Sequence, residues 1–376
     1  MYDAIVVGLG AMGSAATFHL ARRGRRVLGI DRFAPPHAMG SSHGQTRIIR
    51  EAYFEHPAYV PLVQRAYMLW DELERASQGK LFVQTRGLMI GRPDSMLVTG
   101  ARRSAELHGL AHEILSADDV KRRFPALHPE PDMVAVLEPR AGILLPEACI
   151  RAHLSLAANQ GAEIHTDERV VRWSASEGGV EVKTTRATYR AGRLVISAGA
   201  WAPELLADIA PPLTVERQVL FWFDAARSAS SFAAEHCPVH LWEFDDRKFA
   251  YGFPDLGGGV KFARHHHGAT GSPESLPRDA TTAELEDVRS LLDRFLPDAN
   301  GTLRSSAVCF YTNTPDENFW IDRHPRHANV IIASPCSGHG FKFAAVIGEI
   351  LAKLVDGEDP GFDLDLFRTR WQAPAR

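Results

Sequence analysis

The sequence predicts a mixed α/β (α+β) fold: a discontinuous Rossmann-like nucleotide domain joined to a second domain built on a mixed β-sheet. Three observations carry this. A strand, a glycine turn and a helix open the chain; a strand, a glycine loop and an apolar helix recur towards the C-terminus; strands with alternating aromatics lie between.

The elements justify themselves in order. Tyr2–Val7 is a short apolar run, followed by Gly8, Gly10 and Gly13 in GxGxxG spacing and by helical periodicity over Ser14–Arg23. Gly8 permits the tight turn, Gly10 lets a pyrophosphate approach the backbone, and Gly13 allows close helix–strand packing, while the helix N-terminus favours phosphate charge. A second strand, Arg26–Ile30, ends at Asp31, placed to accept from a ribose hydroxyl. The fingerprint does not separate NAD from FAD, and an acid at position 31 argues against a 2′-phosphate. Arg32–Gly44, rich in Pro, Gly, His and Ser, reads as a loop near the cofactor.

Helices are expected over Tyr59–Glu74, Pro93–Leu110, Ala117–Phe124 and Glu147–Gln160, the last stopped by Gly161. Strands follow at Ile164–Trp173, Gly179–Thr184, Thr188–Ala191 and Arg193–Ile196, the last running into the small-residue turn Ser197–Ala200, a second backbone approach to the dinucleotide. Val215–Lys261 reads as several strands, Thr282–Phe295 as a helix, Val330–Ala333 as a strand and Phe341–Val355 as a helix. The nucleotide domain is therefore assembled from 1–85, 142–215 and 305–376, and the substrate domain from 86–141 and 216–304.

Composition excludes other classes. The 376 residues are 45% hydrophobic and 23% charged with a formal net charge of −4, which leaves no basic footprint for nucleic acid. Apolar runs are too short to cross a bilayer, and the N-terminus has neither a basic region nor a cleavage signal, so a cytoplasmic protein without a membrane partner is expected. Cys149, Cys237, Cys309 and Cys336 form no CxxC pair and no zinc spacing, and the run His265–His267 has no fixed ligand set beside it, so no metal is expected.

Several polar residues invite a functional reading. Arg47 and Arg50 flank Ile48 and Ile49 in a partly apolar segment, where a buried guanidinium needs an anionic partner. Lys342 stands at a helix start, where a cation opposes the dipole and calls for a carboxylate or an electron-rich ring. Lys261 sits between Val260 and Phe262, and Cys309 ends an apolar stretch and taken alone is a small buried hydrophobe. Trp242 and Phe244, within His240–Tyr251, mark the segment expected to set side-chain selectivity.

Three composite motifs go further. SSHGQTRIIR (Ser41–Arg50), CFYTNTPDENFWID (Cys309–Asp322) and SGHGFKF (Ser337–Phe343) resemble the monomeric sarcosine oxidase and N-methyltryptophan oxidase family over nearly the whole chain. The resemblance implies FAD bound in the fold of D-amino-acid oxidase. It also implies oxidation of a secondary, N-methyl amino acid by dioxygen, giving an imine, hydrolysed to amino acid and aldehyde, and hydrogen peroxide. A monomer is implied, with the flavin attached through its 8α carbon to Cys309, Cys336 being the competing thiol. Arg50 and Lys342 would clamp the substrate carboxylate, with Tyr251 and Tyr311 as pocket walls. Arg47 would tune the flavin, and His43 and His265 would line the site. Lys261 would lie beneath the ring, bridged by water to N5, where its charge promotes electron transfer to oxygen. Gly338, His339, Gly340 and Phe341, with Lys342, would face the pyrimidine; Met12, Ser42, Val170, Ala198, Gly199 and Trp201 complete the expected cofactor contacts. A hydride-type step needs the neutral amine, so the rate is expected to rise with pH. The alternative readings are a flavin oxidase or dehydrogenase of proline, pipecolate or a biosynthetic imine precursor, and a flavin-binding module without turnover.

Overall fold

The computed structural model describes residues 1–369; the tail of the expected C-terminal cofactor segment, 370–376, lies outside the described residues. Two eight-stranded sheets and a small three-stranded one organise the chain. In the first sheet, Tyr2–Val7 pairs in parallel with Val27–Ile30 on one side and Thr188–Ile196 on the other, and Glu163–His165 extends the edge beyond Val27–Ile30. Along Thr188–Ile196, residues 188–191 take the antiparallel strand Gly179–Thr184, while Leu194–Ile196 take His327–Ser334 in parallel. These central strands are apolar on both faces because both faces are covered. On one side pack the helices Ala11–Arg22, Pro146–Asn159, Val60–Ser77 and Ala344–Asp356. Gly348 meets Ala15 so closely that a Cβ there would lie 2.5 Å from the Ala15 carbonyl carbon.

The second sheet runs Leu303–Asn313, Thr214–Phe223, Val260–His265, Lys248–Phe253, Val239–Asp245, Gly87–Gly91, Val134–Glu138 and Glu113–Ser116. It is mixed, with one parallel pair, Val239–Asp245 on Gly87–Gly91. The helix Thr282–Phe295, opened by a Thr281/Glu284 capping box, covers it and stacks Phe295 on Trp242 at 4.6 Å. The strand Arg47–Ile49 joins Gly142–Leu144 and Phe82–Gln84 in the third sheet between the two. No helix among the described residues is long and apolar enough to cross a membrane.

Several expected elements change shape. The run Ile164–Trp173 is two strands, because the chain turns at Asp167 with φ +53°. Thr188–Ala191 and Arg193–Ile196 fuse into one strand, and the final helix begins with a 3-10 turn at Phe341–Phe343 that carries Lys342. Trp242 and Phe244 point into the core of the second sheet, while Leu241, Phe249 and Tyr251 of the same segment line the cavity.

Candidate active site

One cavity runs from the N-terminal glycine turn, between the first and second sheets, to the loop before the last helix; with its mouth it encloses about 1960 Å³. At its nucleotide end lie Gly8, Gly10, Met12, Asp31, Ser42, Val170, Ala198, Gly199 and Trp201. Gly8 has φ +89°, and a Cβ on Gly13 would lie 1.7 Å from the Gly8 carbonyl oxygen, so neither position accepts another residue without moving the turn. Gly13 thus packs behind the wall and does not line it. Asp31 accepts from the Leu9 amide at 2.6 Å and the Phe33 amide at 2.8 Å, which fixes its carboxylate at the cavity wall. The N-cap Gly10 offers no side chain to the helix Ala11–Arg22, whose N-terminus opens at this end with the Ala11 amide donating to Ser42 Oγ at 3.4 Å. A glycine cradle, a helix start opening on the cavity and an acid fixed at its wall together fit a dinucleotide, the fit FAD requires.

At the other end the cavity meets Arg47, Arg50, Glu55, Leu241, Phe249, Tyr251, His265, Cys309, Tyr311, Cys336 and the segment Gly338–Lys342. Arg50 is 2% exposed, and its anionic partner is Glu55: Nη2 donates to both carboxylate oxygens at 2.8 Å, while Nη1 donates to the Ala52 carbonyl at 3.0 Å. Its guanidinium lies over Tyr53 and Phe54, 4.3 and 4.8 Å from the ring centroids. Burial works against the Glu55 carboxylate, but Arg50, His339 and Lys342 hold it below the usual carboxylate range. Sequence reasoning missed Glu55; its signal was an acid five residues beyond a buried arginine.

Lys342 is also buried, donating to the His339 carbonyl at 2.7 Å and to the Tyr53 hydroxyl at 3.4 Å. Burial, then the charge of Arg50, bring its pKa down to about 7. His265 and Tyr311 share a hydrogen bond of 3.0 Å, and burial pushes that histidine well below its ordinary value. Burial lifts the Tyr251 phenol to about 12 and raises the Cys309 thiol, against the opposing charges of Arg47 and Lys261. Cys309 faces the cavity from the strand Leu303–Asn313 of the second sheet. Cys336 also reaches the cavity, its sulfur accepting from the Thr312 amide.

Two expected wall residues lie behind the wall. Lys261 is 1% exposed, and its ammonium donates to Gly44 O at 2.8 Å, Thr46 O at 3.1 Å and Thr46 Oγ1 at 3.0 Å, one oxygen for each N–H. Burial and Arg47 press its pKa well down. His43 is buried beside it, its Nε2 without a partner among the described residues and its pKa lowered to about 4 by burial and by Arg47. Arg47 does reach the cavity, held by the carbonyls of Thr46 and Ser41 at 2.8 and 2.6 Å. Of the histidine run, His266 turns away at φ +51° to meet Glu216 at 3.0 Å.

Known proteins resemble this chain throughout. It is 46% identical to the monomeric sarcosine oxidase of Streptomyces avermitilis over all of this chain and 98% of that one. It is 35% identical to the N-methyl-L-tryptophan oxidase of Yersinia pestis over 97% and 98%. In three dimensions it overlays NikD, an unusual amino acid oxidase of nikkomycin biosynthesis, with a TM-score of 0.87 at 22% identity, covering 100% and 98% of the two chains. It overlays glycine oxidase from Geobacillus kaustophilus with a TM-score of 0.83 at 20% identity, covering 98% and 99%. Residues 3–354 match the FAD-dependent oxidoreductase family, and with a glycine cradle built for a dinucleotide and two buried cations at the far end of the same cavity, the chain belongs to that family.

Proposed function

We propose that this flavoenzyme oxidises an N-methyl amino acid, passing two electrons to dioxygen and releasing hydrogen peroxide and an imine that water hydrolyses to amino acid and aldehyde. The observation that carries the reading is the pair of buried cations, Arg50 and Lys342, on one cavity wall. Two positive groups desolvated together are costly unless an anion joins them, and Glu55 answers only the arginine directly. An amino-acid carboxylate of the substrate is the second anion.

FAD, when bound, supplies the two-electron sink for the amine and the site at which oxygen takes those electrons up. The chain's own residues do the rest. Arg50 and Lys342 bind the carboxylate and so fix the direction in which the amine projects, the orientation on which the rate depends. Phe54, Leu241, Phe249 and Tyr251 line the cavity and exclude water around the amine. The His265–Tyr311 pair holds a proton between ring nitrogen and phenol, with the imidazole kept neutral by burial and therefore free to accept. Lys261 holds its amine next to Arg47 and Cys309, on the oxygens of Gly44 and Thr46; burial and Arg47 work against its charge, and in its protonated form it would offset the anion that an electron arriving at oxygen creates. Cys309 is the proposed covalent anchor of the flavin, because its sulfur is at the cavity wall and two cations stand near it. The protein acts as a monomer on this reading, consistent with the name of its 46% identical relative, and in the cytoplasm.

The test is to mix the protein anaerobically with a panel of N-methyl and cyclic amino acids, follow the flavin band, and then admit air. Bleaching by an N-methyl amino acid, with recovery and peroxide in air, is expected; bleaching by cyclic amines alone overturns the substrate assignment. Denaturation should leave the yellow colour on the wild-type polypeptide and release it from Cys309→Ser.

A further inference from the structure

The segment that follows Arg50 is held from the opposite sheet by a carboxylate that does not reach the cavity. Glu138 ends the strand Val134–Glu138 and is 1% exposed. It accepts from two consecutive amides, Glu51 N to Oε1 at 2.6 Å and Ala52 N to Oε2 at 2.8 Å. Two residues on, Arg140 donates to the Glu51 carboxylate at 2.8 Å, so the Glu138–Arg140 segment grips residue 51 by both backbone and side chain. The carbonyl of the clamped Ala52 receives Nη1 of Arg50 at 3.0 Å. Burying a carboxylate is costly, and nothing in the strand pairing of residue 138 with Gly87 requires one. Two parallel amide donors do require it, since a glutamine would turn an NH₂ against one of them.

We propose that Glu138 is a positioning residue for substrate binding: by fixing the peptides of residues 51 and 52 it sets the surface on which the Arg50 guanidinium is oriented. One edge of that guanidinium rests on the Ala52 carbonyl, one peptide beyond the clamped amides, leaving Nη2, now on Glu55, as the edge that exchanges. The inference rests on the reading that Arg50 takes the substrate carboxylate.

The experiment uses flavin-loaded wild type, Glu138→Gln, Glu138→Asp, Arg50→Lys and the Arg50→Lys/Glu138→Gln double variant. Each is titrated with acetate and with acetamide by flavin difference spectra, and KM and kcat are measured for the amino acid that bleaches the wild type. Glu138→Gln should weaken acetate and raise KM by about tenfold, the scale of one misaligned charge-assisted contact, with kcat changed by less than about twofold. Glu138→Asp, which keeps the charge with a shorter reach, should fall between. The double variant should be no weaker than Arg50→Lys, because nothing is left to orient. If the wild type does not prefer acetate to acetamide, or Arg50→Lys binds acetate normally, the reading of Arg50 fails. If both hold but Glu138→Gln binds acetate like the wild type, or its loss adds in full to that of Arg50→Lys, the positioning role is overturned. Should Glu138→Gln not fold, Glu138→Asp decides: wild-type acetate affinity refutes the proposal and selective weakening supports it.

Discussion

Replacing Lys342 by methionine tests the carboxylate clamp most directly, because it removes one charge from a site that holds two. The ammonium is buried and donates to the His339 carbonyl and the Tyr53 hydroxyl, and in the variant that hydroxyl keeps His339 Nδ1 and the His339 carbonyl within reach. A hydrogen bond to a charged group contributes about 1.5–3 kcal/mol, so an inert carboxylate such as acetate should bind about 10- to 150-fold more weakly. The pH dependence supplies an independent sign. With its pKa brought down to about 7, Lys342 is charged below that pH and neutral above it in the ligand-free protein. Wild-type affinity for acetate should therefore be highest at pH 6 and decline through pH 8, whereas the methionine variant should be weak and flat over the same range. Acetate isolates this effect, since a substrate amine has its own titration with the opposite slope on rate. The assay is a flavin difference titration at each pH, with thermal unfolding followed in parallel. Acetate affinity within about threefold of wild type at pH 6, with the same decline at higher pH, would refute the clamp.

Other perturbations separate the parts of the site. Gly13→Ala places a methyl 1.7 Å from the Gly8 carbonyl oxygen, so the turn must open; purified protein should lose most of its flavin, measured as the ratio of flavin to protein absorbance. Lys261→Met should slow reoxidation in air by about a hundredfold, the scale of losing one preorganised charge, while anaerobic reduction changes little; equal slowing of both half-reactions would remove Lys261 from the oxygen step. Trp242→Ala should destabilise the fold by about 3–5 kcal/mol without changing substrate preference, whereas Phe249→Ala should shift preference towards larger N-alkyl amino acids. A thermal melt and the same substrate panel distinguish the two.

The nucleotide end was legible because its chemistry is local. Gly8, Gly10, Gly13 and Asp31 act within one strand–turn–helix–strand unit, and the periodicity of that unit survives folding. The substrate end was legible only through composite motifs, and there spacing identified side chains without saying which way they point. Lys261 and His43, expected at the wall, sit one layer behind it. Within His240–Tyr251 a run of mixed aromatics gives no sign of which face meets the core: Trp242 stacks inward on Phe295, and Leu241 and Phe249 take the cavity face. Glu55 and Glu138 were missed for a different reason. Glu55 had only its five-residue spacing from Arg50 to mark it, and the partners of Glu138 are two amides brought up by tertiary folding, of which an acid at a strand end carries no mark in sequence.

The parallel pairing of Leu194–Ile196 with Val330–Ile332 has a consequence for how the protein is made. Until synthesis has passed residue 332, the strand Thr188–Ile196 has no parallel neighbour on that side, and the loop Gly338–Lys342 that completes the cavity does not exist. The cavity is therefore closed only once residues 338–342 have been made. Throughout elongation the growing chain carries an apolar open edge beside an incomplete nucleotide site, a state prone to pairing with other nascent chains. Flavin supply should raise the yield of folded protein by capturing the completed cavity and not by guiding the earlier strands into place.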